Sequence, residues 1–237
     1  GDVNGRKLTN DIFGHAMGDN LLQSIARSLR LSCRTSDVVS RIGGDEFLIL
    51  LPHTDGNEAD QIAKRIEEHL EEDGIRAGKR SIALGSATKT STEETLQGTF
   101  DRAEDQMYRR KTLRRAETHK KQLQDLSEML YEKAPGERLH AVKVQRHAAS
   151  IASLLHLNDE EASKRQRAGL YHDIGKVVLE PEIITSKNRS TLVQERYRDH
   201  VSAASRILNM FEETVDLAPM ILHHHEWWDG SGYMKRL

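Results

Sequence analysis

The sequence predicts an α+β domain followed by an all-α domain. Three observations carry this. Strand-type runs and helical runs alternate up to about residue 112, and strand signals disappear after Pro135-Gly136. Histidine is concentrated late: of 12 in the chain, eight lie at or beyond His140.

In the first half, Leu21, Leu22, Ile25, Ala26 and Leu29 fall at helical spacing within Asn20–Leu31. Two β-branched or apolar runs, 37–42 and 45–51, flank Gly43-Gly44. A two-glycine joint between such runs predicts a hairpin whose central residues take positive φ. Residues 58–70 read as a helix through Ile62, Ile66 and Leu70, closed by Asp73-Gly74. Residues 81–87 read as a strand and 92–111 as a helix. The chain then turns basic through Arg109, Arg110, Lys111, Arg114, Arg115, Lys120 and Lys121. Leu123, Leu126 and Leu130 form a stripe of barely two heptads, too short for a coiled coil. In the second half, residues 140–157 are amphipathic, and Asn158 with Glu161 forms a capping box opening a helix that runs to His172-Asp173 and stops near Gly175. Helices are also expected over 192–211 and 214–225.

Composition narrows the class. The 237 residues carry 35 Lys plus Arg against 37 Asp plus Glu, a net charge of −2, which gives no reason to expect a general nucleic-acid binder. With 37% hydrophobic and 30% charged residues the chain is foldable rather than disordered. The single cysteine, Cys33, excludes an internal disulfide framework and fits a reducing compartment. Apolar runs such as 47–51 are far too short to cross a bilayer, and no signal-peptide pattern opens the sequence. The expected location is the cytoplasm, or the cytoplasmic part of a membrane-anchored protein.

The hairpin residues carry chemistry. Glycines at positions 43 and 44 let a nucleotide approach the backbone, and the carboxylates of Asp45 and Glu46 follow at the mouth of the second strand. Asp2 lies at the expected end of another strand. Carboxylates from adjacent strand ends are suited to holding Mg²⁺ against phosphates. The run from Asp2 through Asn10 and Gly14 to Asp19, the Gly43-Gly44-Asp45-Glu46-Phe47 hairpin, and the run from Arg102 to Lys111 together resemble the GGDEF family of diguanylate cyclases. The resemblance implies a nucleotide-cyclase palm-like fold over residues 1–112, lacking its first strand because only Gly1 precedes Asp2. It implies that Asp2, Asp45 and the Val3 carbonyl hold Mg²⁺, that Asn10 and Asp19 hydrogen-bond guanine, and that Lys111 and Arg115 reach the triphosphate. Glu46 belongs to the catalytic signature. Arg34 and Asp37 match the family's RxxD product-inhibition site. Asn4 stands where a second Asp is common, and Arg6 where Phe or Leu is usual, a change expected to loosen the apolar floor of the guanine pocket.

In the second half a lone His-Asp pair means little, since one arises by chance in about one chain in three or four of this length. The ensemble says more: His140, then His172-Asp173 with Lys176, then His200, then His224-His225, then Asp229, Gly230, Gly232 and Tyr233. Imidazoles and a carboxylate spread over several helices describe a site inside a bundle, and mixed N/O ligation suits Fe or Mn better than structural zinc. This half resembles the HD-GYP phosphodiesterases over residues 137–237, after a basic helical linker at 113–136. The resemblance implies that His140, His172, Asp173, His200, His224 and His225 hold two Fe or Mn ions that activate a water for in-line attack. It implies that Lys176 contacts the scissile phosphate and that the loop of Asp229, Gly230, Gly232 and Tyr233 faces the substrate. Met234 replaces the proline of the GYP signature, so the loop loses a fixed φ. Glu137 is one position away from an extra carboxylate of some members, which favours two metals over three. A further Asp ligand of the family is expected beyond Leu237, so the sequence reads as an internal piece of a longer polypeptide.

Together these imply a bacterial enzyme of cyclic di-GMP turnover, joining two GTP as a homodimer, hydrolysing the product, and governed by an upstream sensor domain. Two other readings stand beside it. One half is a catalytically silent module that senses GTP or cyclic di-GMP and regulates the other, or the second half is a generic HD phosphohydrolase acting on another nucleotide.

Overall fold

The computed structural model describes residues 1–72, 80–186 and 190–233. The described chain forms two units, Gly1–Gln122 and Leu123–Leu237.

In the first unit, β1 (Asp2–Val3) leads into α1 (Arg6–Phe13) and α2 (His15–Ser32). The sequence reading began the first helix at Asn20; helix in fact starts at Arg6 and restarts at His15. Gly5 (φ +76°) and Gly14 (φ +84°) bound α1 in backbone conformations that carry a steric cost for any side chain. The hairpin β2 (Val38–Arg41) and β3 (Phe47–Leu50) pairs antiparallel, with Arg41 opposite Phe47. Its joint differs from the expected two-residue turn. Residues 42–46 form the loop, and neither Gly43 nor Gly44 has a positive φ. The loop is held instead by the Arg41 guanidinium, which donates to the carbonyls of Gly43 and Gly44 at 2.7–3.1 Å.

Helix α3 (Gly56–Glu72) follows, and its expected stop at Asp73-Gly74 lies outside the described residues. The strand expected over 81–87 is reduced to β4 (Ile82–Ala83). Beyond Ala83 the backbone finds partners on α4 (Leu96–Leu113) rather than on a strand: Ser86 N donates to Gln106 Oε1 at 2.6 Å, and Arg110 donates to the Leu84 carbonyl at 3.3 Å. Gly85 allows this approach, since a Cβ there would lie 2.1 Å from the Ala103 carbonyl. β1 pairs antiparallel with β4 and is bridged to the other pair through Asp2 and Glu46. The core gathers Val3, Leu22, Ile25, Leu29, Phe47, Ile62, Ile66, Leu70, Ile82 and Leu84.

The division between units falls within α5 (Arg115–Lys133), whose predicted stripe of Leu123, Leu126 and Leu130 is buried. Pro135 stops that helix and stands at the N-cap of α6 (Gly136–Leu154). Asn158 caps α7 (Asp159–Tyr171), accepting from Glu161 N at 2.9 Å. The reciprocal half of the capping box is not made, because the Glu161 carboxylate turns outward to pair with Arg165. A 3₁₀ turn (Ile174–Val178), the short α8 (Pro181–Thr185) and α9 (Thr191–Leu208) follow. The expected helix over 214–225 is instead a 3₁₀ turn (Val215–Leu217) and a five-residue α10 (Ala218–Leu222), leaving His224 and His225 beyond its end. The core of this unit includes Ile174, Val177, Val201, Ala204, Ile207, Leu208, Leu217 and Ile221.

Candidate functional site

The first unit gathers the residues expected to bind nucleotide around β1 and the hairpin loop. Val3 N donates to the Asp45 carbonyl at 2.8 Å, so the hairpin loop carrying Asp45 lies alongside β1, which carries Asp2. The Lys111 ammonium lies 2.7 Å from Asp2 Oδ1, bringing the last turn of α4 to the strand end from 109 residues away. Gly43 is required by close approach, since a Cβ would meet Glu46 Oε2 at 2.5 Å. On α1, the Asn10 side chain lies against Gly18, immediately before the exposed Asp19: a Cβ on Gly18 would fall 1.8 Å from Asn10 Oδ1. Arg115 opens α5 on the surface. At the RxxD positions the two side chains do not pair. Asp37 Oδ2 accepts from Arg34 N at 2.7 Å, while the Arg34 guanidinium is 3.9 Å from Glu58.

The second unit converges on Asp173. This residue lies just beyond α7 as the N-cap of the 3₁₀ turn, and α9 reaches it because residue 175 is glycine. A Cβ at Gly175 would lie 1.9 Å from the His200 carbonyl and 2.4 Å from Ala204 N. Asp173 Oδ2 is 2.9 Å from His172 Nε2, 3.4 Å from His140 Nε2 and 2.8 Å from Lys176 Nζ. Asp173 Oδ1 is 3.4 Å from His200 Nε2 and 3.8 Å from His224 Nε2. The donors fall into two groups that share Asp173: His140 and His172 on one side, and His200, His224 and His225 on the other.

Three of the imidazoles are oriented the same way. Nδ1 of His172, His200 and His224 faces the main-chain carbonyl three residues earlier, at 2.9, 2.5 and 2.6 Å. This fixes the tautomer and turns Nε2 toward the centre. Nε2 of His200, His224 and His225 is buried without a hydrogen-bond partner. A buried imidazole lone pair that meets no hydrogen-bond donor is costly unless something coordinates it. Burial lowers the pKa of His224 and of His225 to about 4, so both are neutral and carry a free lone pair at neutral pH. For Asp173, burial favours the neutral acid, but the hydrogen bond from His172, the nearby His200 ring and the charge of Lys176 outweigh it and hold the carboxyl well below the usual range. Burial also disfavours the Lys176 ammonium, yet Asp173 and Glu137 overcome it and raise its pKa. The donor set therefore fits divalent cations, with two groups of donors sharing the Asp173 carboxylate.

Sequence reasoning missed three residues here. Glu137 holds Lys176 at 2.9 Å, Tyr197 packs against the His200 ring at 4.8 Å, and Arg198 lies 4.8 Å over Tyr233. Glu137 falls one position from the family's extra carboxylate, and the signal for Tyr197 is its i, i+3 spacing to His200. In the substrate loop, Asp229 Oδ1 accepts from Ser231 N and Oγ, Gly230 takes φ +74°, and Tyr233 stacks on His225 at 5.0 Å. Met234 lies outside the described residues.

Residues 1–117 match the family described as diguanylate cyclase, GGDEF domain, and residues 110–237 match the HD domain. The chain belongs to the HD domain family and carries a GGDEF domain ahead of its HD domain. Diguanylate cyclase A of Treponema denticola is 32% identical over 114 residues, covering 46% of this chain and 31% of that protein. Diguanylate cyclase DgcM of Escherichia coli is 34% identical over 111 residues, covering 46% of this chain and 27% of that protein. The solved GGDEF domain of YfiN (TpbB) from Pseudomonas aeruginosa is 34% identical, covering 47% of this chain and 73% of that chain with a TM-score of 0.44. The chain spans about a third of the length of the curated relatives it matches. Among the described residues no helix is long and apolar enough to cross a membrane.

Proposed function

We propose that the chain serves cyclic di-GMP turnover through two separate sites, a diguanylate cyclase in the GGDEF domain and an HD-GYP phosphodiesterase in the HD domain. The observation that carries the second activity is the sharing of Asp173 between two groups of imidazoles, one of which (His200, His224 and His225) has orphaned Nε2 atoms. The first is supported by the names of the relatives and by the meeting of Asp2, Asp45 and Lys111 at one strand end.

In the cyclase, the 3′-hydroxyl of one GTP attacks the α-phosphate of another and pyrophosphate leaves. Asn10 offers its amide to an acceptor of guanine and Asp19 its carboxylate to the N–H donors beside it. Lys111 and Arg115 neutralise the leaving pyrophosphate, and Glu46 flanks the reacting end. Asp2, Asp45 and the Val3 carbonyl would hold one Mg²⁺, which when bound would withdraw charge from the phosphates. Each domain holds one GTP, so two copies of the chain must meet. Arg34 and Asp37 form the product-binding site that restrains them.

In the phosphodiesterase, two Fe or Mn ions held by His140, His172, Asp173, His200, His224 and His225 supply Lewis acidity and an activated water. Lys176 exchanges a carboxylate for the scissile phosphate. The loop of Asp229, Gly230, Gly232 and Tyr233 orients the substrate. A cytoplasmic location and an upstream sensor complete this reading.

The test assays the full chain with GTP and Mg²⁺, then with cyclic di-GMP and Mn²⁺ or Fe²⁺. Asp45→Ala removes only the first reaction and His172→Ala only the second. Nucleotide binding without turnover of either substrate would replace this reading with a sensing module, and hydrolysis of a different nucleotide in place of cyclic di-GMP would replace it with a generic HD phosphohydrolase.

A further inference from the structure

Arg6 stands where an apolar side chain was expected beneath guanine, and its surroundings give the charge no protein partner. Its Nε is buried and makes no hydrogen bond, and among the described residues its guanidinium forms no ion pair. One terminal nitrogen faces the hairpin loop, 3.1 Å from where a Cβ on Gly44 would stand. A buried guanidinium N–H without an acceptor is destabilising, a cost that an arriving acceptor removes.

The position of Arg6 on α1 says what the acceptor is. Arg6 and Asn10 are four residues apart, so they share one face of the helix, one turn or about 5 Å apart. Asn10 lies against Gly18 beside Asp19, at the far end of that face. A base held there through its N2–N3 side extends its opposite edge over roughly the same distance as one helical turn. In guanine that opposite edge carries O6 and N7, two acceptors that an arginine fork matches.

We infer that Arg6 is a nucleotide-binding and specificity-determining residue, donating to the O6/N7 edge of the guanine that Asn10 and Asp19 hold by its other edge. This rests on the cyclase reading of the GGDEF domain. The arginine does not loosen the pocket floor; it replaces apolar contact with a directed donor pair.

The test measures calorimetric binding of GTP and of 7-deaza-GTP, which lacks the N7 acceptor, to the full chain with Ca²⁺ in place of Mg²⁺ to suppress turnover. Wild type should bind GTP about tenfold more tightly than the deaza analogue. Arg6→Leu, which keeps the volume apolar, should weaken both nucleotides but GTP more, so that the tenfold difference between them disappears, and Arg6→Lys should recover only part of it. Equal weakening of both nucleotides in Arg6→Leu would assign Arg6 to phosphate or ribose and overturn the inference, as would an unchanged GTP affinity. If the wild-type chain bound neither nucleotide, the cyclase reading itself would fall.

Discussion

Asp173 carries more of the second site than any other residue. Four imidazoles and Lys176 lie within 3.8 Å of its two oxygens, and both ligand groups need it. Asp173→Asn keeps the shape but removes the bridging charge. It should lower bound Mn by 100-fold or more in equilibrium dialysis, in line with losses seen when even outer partners of a metal site are changed, while GTP turnover stays within about twofold of wild type. Gly175 is the residue whose replacement should harm folding most directly. Alanine there drives a methyl into the His200 carbonyl, and overpacking of this kind costs about 1–3 kcal/mol. The expected result is a urea midpoint shifted down with an unchanged slope. The histidine pattern showed His172 and Asp173 as candidates, but the glycine two positions on has no chemistry to draw attention. Its role exists only because α9 passes over it.

At the scale of elements, local signals worked best where a side chain acts on its own backbone. Asn158 is an N-cap in sequence and in structure, and Asn158→Ala should cost α7 about 1 kcal/mol, readable by urea titration. Signals that depend on partners failed. The Gly43-Gly44 joint suggested a tight positive-φ turn, but Arg41 binds both glycine carbonyls and holds a longer loop. The run at 81–87 has strand composition, yet only Ile82–Ala83 pairs, because α4 supplies side-chain acceptors and donors for the rest. Helix α1 was missed because it is eight residues long and bounded by glycines that a periodicity count treats as breaks. The stretch at 214–225 has helical spacing, but α10 covers only Ala218–Leu222, with Pro219 in its first turn, and beyond its end His224 turns back toward Asp173.

At the scale of the whole chain, the two sites should respond to different perturbations. Dilution should lower the specific activity of the cyclase, since two copies must meet, and leave hydrolysis of cyclic di-GMP per chain unchanged. Mn²⁺ at roughly 100 times its dissociation constant should stabilise the unit containing Asp173 by about 2.7 kcal/mol, seen as slower hydrogen exchange along α9. The sequence by itself determined the order of an α+β and an all-α part, the near-neutral charge, and the identities of the chemistry-bearing residues, because motifs and periodicity are properties of neighbours in the chain. Tertiary structure alone decided which of those residues meet. The 109 positions between Asp2 and Lys111 and the orphaned Nε2 atoms around Asp173 are invisible to local pattern, since proximity across that distance is set by how strands pair and helices pack. The same holds for Arg6: the sequence marked it as a departure, and only the packing of α1 against the Gly44 loop showed a charge without a partner.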